Sequence, residues 1–170
     1  SIAEILKHNL HNSCQLICVF PTFADLPWYA DHPTDVHLRQ ETYLMRDVVP
    51  LIEAEYLVRT DASDRLLVGF SKSGWGAWSL LLRHPDVFGR AAAFDAPLMM
   101  GAPGKYGSGP IFGTPENFFG YQISRQLKPR VSELRRSGPR LALFGKGNFQ
   151  KEHQQVSQLL QKLQIPCYQE

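Results

Sequence analysis

Along the chain, short continuous apolar runs alternate with longer stretches in which apolar residues recur every three or four positions. Ile2, Ile5, Leu6 and Leu10 carry the helical period and predict a helix over 2–10. Residues 14–20, Cys-Gln-Leu-Ile-Cys-Val-Phe, form an apolar run closed by Pro21, the pattern of a buried strand in a parallel sheet. Residues 21–37 have no period and predict a loop at that strand's C-terminal end. An amphipathic helix is predicted over 38–57, with Leu44, Val48, Leu51, Ile52 and Tyr56 on one side. Pro50 lies inside it and should kink or break it.

After a turn at 60–64, strands at 65–70, 90–94 and 140–144 alternate with helices at 74–84, 121–136 and 150–163. A fifth strand begins near Ile165. The glycine- and proline-rich stretch 101–120 predicts a long irregular loop. This alternation implies a single α/β domain over residues 1–170: a three-layer, mainly parallel sheet with helices on both faces. In such a sheet, ligands bind beyond the C-terminal ends of the strands. The loops at 21–37, 69–74, 95–120 and 145–150 should therefore share the functional edge.

Composition narrows the function classes. With 18 basic and 16 acidic residues the formal net charge is +2, too balanced for a nucleic-acid binder. Lys128-Pro129-Arg130 and Arg135-Arg136 read as solvated helix surface. Three cysteines, Cys14, Cys18 and Cys167, have neither disulfide-framework nor metal-ligand spacing, so a reducing, cytoplasmic setting is the default expectation. No apolar run reaches membrane-spanning length and the start is not a signal peptide. The opening Ser1-Ile2-Ala3-Glu4-Ile5-Leu6 reads as the middle of something longer.

The strongest chemical signal is Gly69-Phe70-Ser71-Lys72-Ser73-Gly74-Trp75-Gly76-Ala77 between a strand and a helix. A nucleophile elbow needs small residues around its serine, because the chain reverses sharply there and holds the serine in strained backbone. Gly69, Ser73, Gly74 and Gly76 meet that demand, although Ser73 stands where glycine is usual. Ser71 is then the nucleophile and the Lys72 amide an oxyanion donor. A Gly/Ser-rich helix cap is the competing reading of the same residues.

Residues 69–89, Gly-Phe-Ser-Lys-Ser-Gly-Trp-Gly-Ala-Trp-Ser-Leu-Leu-Leu-Arg-His-Pro-Asp-Val-Phe-Gly, resemble the elbow and following helix of the esterase D group of α/β-hydrolases. Val19-Phe20-Pro21, Trp28-Tyr29-Ala30-Asp31 and Glu41-Thr42-Tyr43-Leu44 through Val49-Pro50 extend the likeness upstream. The resemblance implies an incomplete α/β-hydrolase fold, short at both ends. It implies a strand between 14–20 and 65–70 that this chain lacks: either those two pair directly, or a gap is filled by another segment or chain. It also implies a catalytic histidine after the last strand, beyond Glu170, and an acid after the strand at 140–144. Gly145-Lys146-Gly147-Asn148-Phe149 puts neutral Asn148 at that acid position.

A substitute triad in hydrolase order is Ser71, Asp95, His153, with His153 as base and Asp95 as its orienter. Asp95 as a turn cap and His153 as a surface helix residue are the alternatives. His32 and His37 also lie in a loop at the functional edge. Trp28, Tyr29, Phe70 and Trp75 are candidate substrate contacts; Trp28 and Tyr29, with Phe112, Phe118, Phe119 and Tyr121, equally fit the local cores of long loops. The resulting expectation is a serine esterase acting on a small carboxylic ester or thioester, without metal or organic cofactor. The alternative is a catalytically silent or incomplete hydrolase-like binding module. An incomplete sheet exposes its edges, so a homo-oligomer is also expected.

Overall fold

Four apolar runs become strands and the periodic stretches between them become helices. The computed structural model describes residues 2–23, 25–145 and 147–170. In chain order the elements are α1 (Ile2–Lys7), α2 (Leu10–Ser13), α3 (Gln40–Tyr43), α4 (Val49–Glu55), β1 (Leu66–Phe70), α5 (Lys72–Arg83), β2 (Arg90–Phe94), α6 (Gly109–Phe112), α7 (Pro115–Tyr121), α8 (Ile123–Arg136), β3 (Leu141–Phe144), α9 (Gln150–Lys162) and β4 (Cys167–Gln169). The strands form a parallel sheet in the order β1-β2-β3-β4. This is the expected α/β fold with a parallel sheet.

Because the strand order follows the chain order, right-handed crossovers place α5, α8 and α9 on one face. Arg130 of α8 donates to the Leu82 carbonyl of α5, and Arg135 of α8 donates to the Leu163 carbonyl just after α9. Trp78 of α5 reaches the sheet itself, donating to the Ala142 carbonyl at 3.2 Å. α5 is the central helix, with Gly74 through Leu82 all buried. α9 buries His153, Val156 and Leu160 at helical spacing.

The opposite face is different. Leu66, Val68 and Phe70 are 56%, 60% and 64% exposed, and Phe94, Phe144 and Tyr168 continue across the sheet in contact with one another. The outer edge of β1 has no partner strand among the described residues.

Residues 14–20 are not a strand. They lie exposed, outside any ladder, with Leu16, Ile17, Val19 and Phe20 facing solvent. A β run needs a neighbour to satisfy its backbone and bury its side chains, and among the described residues 14–20 has no such neighbour. The direct pairing of 14–20 with β1 is therefore not made. The predicted 38–57 helix is three pieces: α3, a π-helical turn over Leu44–Val48, and α4. Pro50 has no N–H for the preceding turn, and the chain widens into a π turn instead of breaking. Of the predicted apolar face, Leu44 is buried while Leu51 and Tyr56 remain exposed.

The 101–120 stretch also differs from expectation. It contains α6 and most of α7, separated by Gly113 at φ 66° and restarted at Thr114, whose side chain accepts the Asn117 amide. Ile111, Phe112 and Phe118 bury completely, and that burial pays for ordering so glycine-rich a segment. No helix among the described residues is long and apolar enough to cross a membrane.

Candidate active site

Ser71 stands between β1 and α5 with φ 53° and ψ −120°. Only a tightly held chain keeps a non-glycine residue in that region. Three contacts hold it. The Ser71 amide donates to the Phe94 carbonyl at 2.9 Å, tying the elbow to the end of β2. The Trp75 amide donates to the Ser71 carbonyl at 3.1 Å, starting α5. The Ser73 hydroxyl accepts the Phe70 amide at 3.0 Å and donates to the Phe70 carbonyl at 2.8 Å. Ser73 does more than meet the demand for a small residue: its hydroxyl closes the turn. Gly69 is required because a Cβ there would overlap the Ser73 carbonyl group. Among the described residues no side chain hydrogen-bonds the Ser71 hydroxyl.

Lys72 is the first residue of α5, so its amide is an orphan helix donor beside Ser71. Its ammonium sits 5.3 Å from the Trp28 ring centroid. Of the predicted substrate contacts, Trp28 and Trp75 are core residues. They meet edge-to-face at 5.5 Å and both contact Phe112. Tyr29 is half-buried, its ring laid over Gly76. Phe70 is open to solvent on the bare sheet face.

Asp95 and His153 come together at the C-terminal edge of β2, and both are already engaged. The Asp95 carboxylate accepts the Asn148 amide at 3.0 Å and the Phe149 amide at 2.9 Å. His153 Nε2 accepts the Ala96 amide at 2.9 Å, and the ring also engages the Gly145 backbone. Burial holds the His153 pKa below its ordinary value, against the Asp95 charge that pulls it upward. Asn148, at the expected acid position, is exposed. Lys146 lies outside the described residues. His32 organises its own loop, Nδ1 accepting the Thr34 and Asp35 amides, and the His37 amide donates to Asp35.

One buried charge cluster has no sequence signature. Glu41 accepts from Arg83 Nε at 2.9 Å, from His84 Nε2 at 2.6 Å and from the Tyr121 hydroxyl at 2.6 Å. It joins α3, the end of α5 and the end of α7, and its partners lie up to 80 residues from it along the chain. Spacing along the chain cannot reveal such a meeting.

Residues 26–160 match the family described as "Putative esterase". The chain belongs to that esterase family. Solved structures agree in fold with this esterase-family chain. FphF, the fluorophosphonate-binding serine hydrolase F of Staphylococcus aureus, aligns at TM-score 0.75 and 18% identity, over 98% of this chain and 69% of its own. A ferulic acid esterase aligns at TM-score 0.66 and 24% identity, over 84% of this chain and 54% of its own. An S-formylglutathione hydrolase from Agrobacterium tumefaciens aligns at TM-score 0.64 and 15% identity, over 85% and 53%. The chain thus spans about half the length of two of these relatives. No functionally curated protein matches it in sequence.

Proposed function

We propose that Ser71 is the nucleophile of a serine ester hydrolase. The observation that carries this reading is its backbone, φ 53° and ψ −120° at a strand-to-helix reversal inside an esterase-family chain. Strain of this kind persists where it presents a reactive side chain. The Ser71 oxygen attacks the carbonyl carbon of a small carboxylic ester or thioester, its proton passes to a base, and the alcohol or thiol leaves. Water then cleaves the acyl-serine, releasing the acid and restoring Ser71. The Lys72 amide at the start of α5 donates to the oxyanion in both steps. This chemistry calls for no metal or organic cofactor. Tyr29 and Phe70 are the proposed contacts for the substrate's apolar part.

The test is labelling by a fluorophosphonate, read by intact mass. A single adduct on the native chain, lost in Ser71→Ala, is the expected result. A folded chain that takes no adduct would remove Ser71 as a competent nucleophile.

Asn148 favours a second reading, a hydrolase-like binding module. A neutral amide at the acid position cannot stabilise an imidazolium. Ester or thioester binding by calorimetry, without turnover or labelling, would select it.

We also propose that copies of the chain associate through the open edge of β1. The unpaired edge and the unpaired apolar segment 14–20 lie on one chain, so two copies satisfy each other reciprocally. Light scattering should show concentration-dependent dimers that Val68→Lys dissolves; a monomer at high concentration would refute it.

A further inference from the structure

Asp95 follows β2 with φ 40°, a left-handed conformation in a non-glycine residue. Its amide donates to the Phe144 carbonyl at 2.9 Å, so the turn stays in register with the end of β3. Its carboxylate, on a residue only 7% exposed, receives two consecutive amides, Asn148 and Phe149, one to each oxygen. The loop lies so close that a Cβ on Gly147 would overlap that carboxylate. The next residue repeats the exchange in the other direction: the Ala96 amide donates to His153 Nε2. Three residues on, the Met99 amide donates to Glu152 at 2.8 Å.

Consecutive donors and acceptors thus interlock the segment after β2 with the segment after β3. The first of these segments directly follows Phe94, whose carbonyl holds the Ser71 amide. The second forms a wall of a cleft of about 580 Å³, where Gly147, Asn148 and Phe149 face Met99 and Tyr106. A triad uses its acid to receive an imidazole N–H and its imidazole Nε2 to receive the serine proton. Here Asp95 receives two main-chain amides, and the Nε2 of His153 is occupied by a third.

We propose that Asp95 and His153 are positioning residues. Together they clasp residues 147–149 to the end of β2 and set the cleft wall relative to Ser71. The functional consequence rests on the reading of Ser71 as nucleophile; the clasp itself does not.

The two readings of His153 separate by the chemistry of its replacement. Gln offers a side-chain oxygen that can accept the Ala96 amide but cannot act as a base; Leu offers neither. Fluorophosphonate labelling of His153→Gln should stay within about 3-fold of the native rate, while His153→Leu falls by roughly 10-fold or more, because the wall it releases is misplaced relative to Ser71. Amide exchange read by NMR should quicken at Ala96 in His153→Leu, and at Asn148 and Phe149 in Asp95→Ala. If His153→Gln labels as slowly as His153→Leu while those amides keep native protection, His153 is the base and the clasp role is overturned. If no form labels, the native chain included, the nucleophile reading fails, and exchange alone judges the clasp: faster exchange upholds it, unchanged exchange overturns it. Should His153→Leu or Asp95→Ala not fold, Asp95→Asn keeps one acceptor oxygen. It should quicken one of the two amides, and native protection at both would refute the clasp.

Discussion

The Ser73 hydroxyl bonds both main-chain groups of Phe70, accepting its amide at 3.0 Å and donating to its carbonyl at 2.8 Å. One side chain thereby satisfies the last residue of β1, where the ladder ends and the reversal begins. Both bonds are exposed, so water can replace the lost partner, and Ser73→Ala should cost on the order of 0.5–1.5 kcal/mol. Urea unfolding measures this; an unchanged midpoint would mean the elbow is held without that hydroxyl.

Ser71 pays for its place in backbone strain. Glycine tolerates φ 53° and ψ −120° far better than serine. Ser71→Gly should therefore raise stability by about 1 kcal/mol, a few degrees in melting temperature, while abolishing fluorophosphonate labelling. A lower melting temperature would contradict the assignment of strain to this residue.

Glu41 makes acid stability predictable. Burial by itself would raise its pKa, but the bonds from His84, Arg83 and Tyr121 outweigh it and hold the carboxyl at about 2, against an ordinary 4.5. A group depressed on folding adds stability above its unfolded pKa and loses it as pH falls through the folded one. The Glu41 contribution, on the order of 2–3 kcal/mol, should be complete at neutral pH and vanish between pH of about 4.5 and about 2. Urea midpoints followed downward from neutral pH should show this limb. In Glu41→Gln the midpoint should be lower at neutral pH and the limb flattened.

Burial pushes the Cys167 thiol up to about 12, whereas Cys14 and Cys18 are exposed. Thiolate, not thiol, reacts with alkylating agents. Iodoacetamide near pH of about 8 should modify Cys14 and Cys18 on the native protein and spare Cys167 until urea is added. Equal rates for all three, read by peptide mass, would contradict the packing of β4.

Local pattern carried much of this. Runs such as Arg90–Phe94 and Leu141–Phe144 read as strands because burial on a parallel sheet demands continuous apolar residues. The strand-to-helix reversal at Ser71 is legible because its glycines, serines and flanking elements are all neighbours in the chain. Three features were decided only in the tertiary structure. Residues 14–20 have a strand's composition but, among the described residues, no strand beside them, and pairing is a property of two segments. Ile111, Phe112 and Phe118 order a glycine-rich stretch because a core lies beneath it. Asp95 and His153 stand in the order of a triad, yet their acceptors meet main-chain amides of Asn148, Phe149 and Ala96 across the sheet edge. Residue type sets what a side chain can accept; only the fold brings the donor.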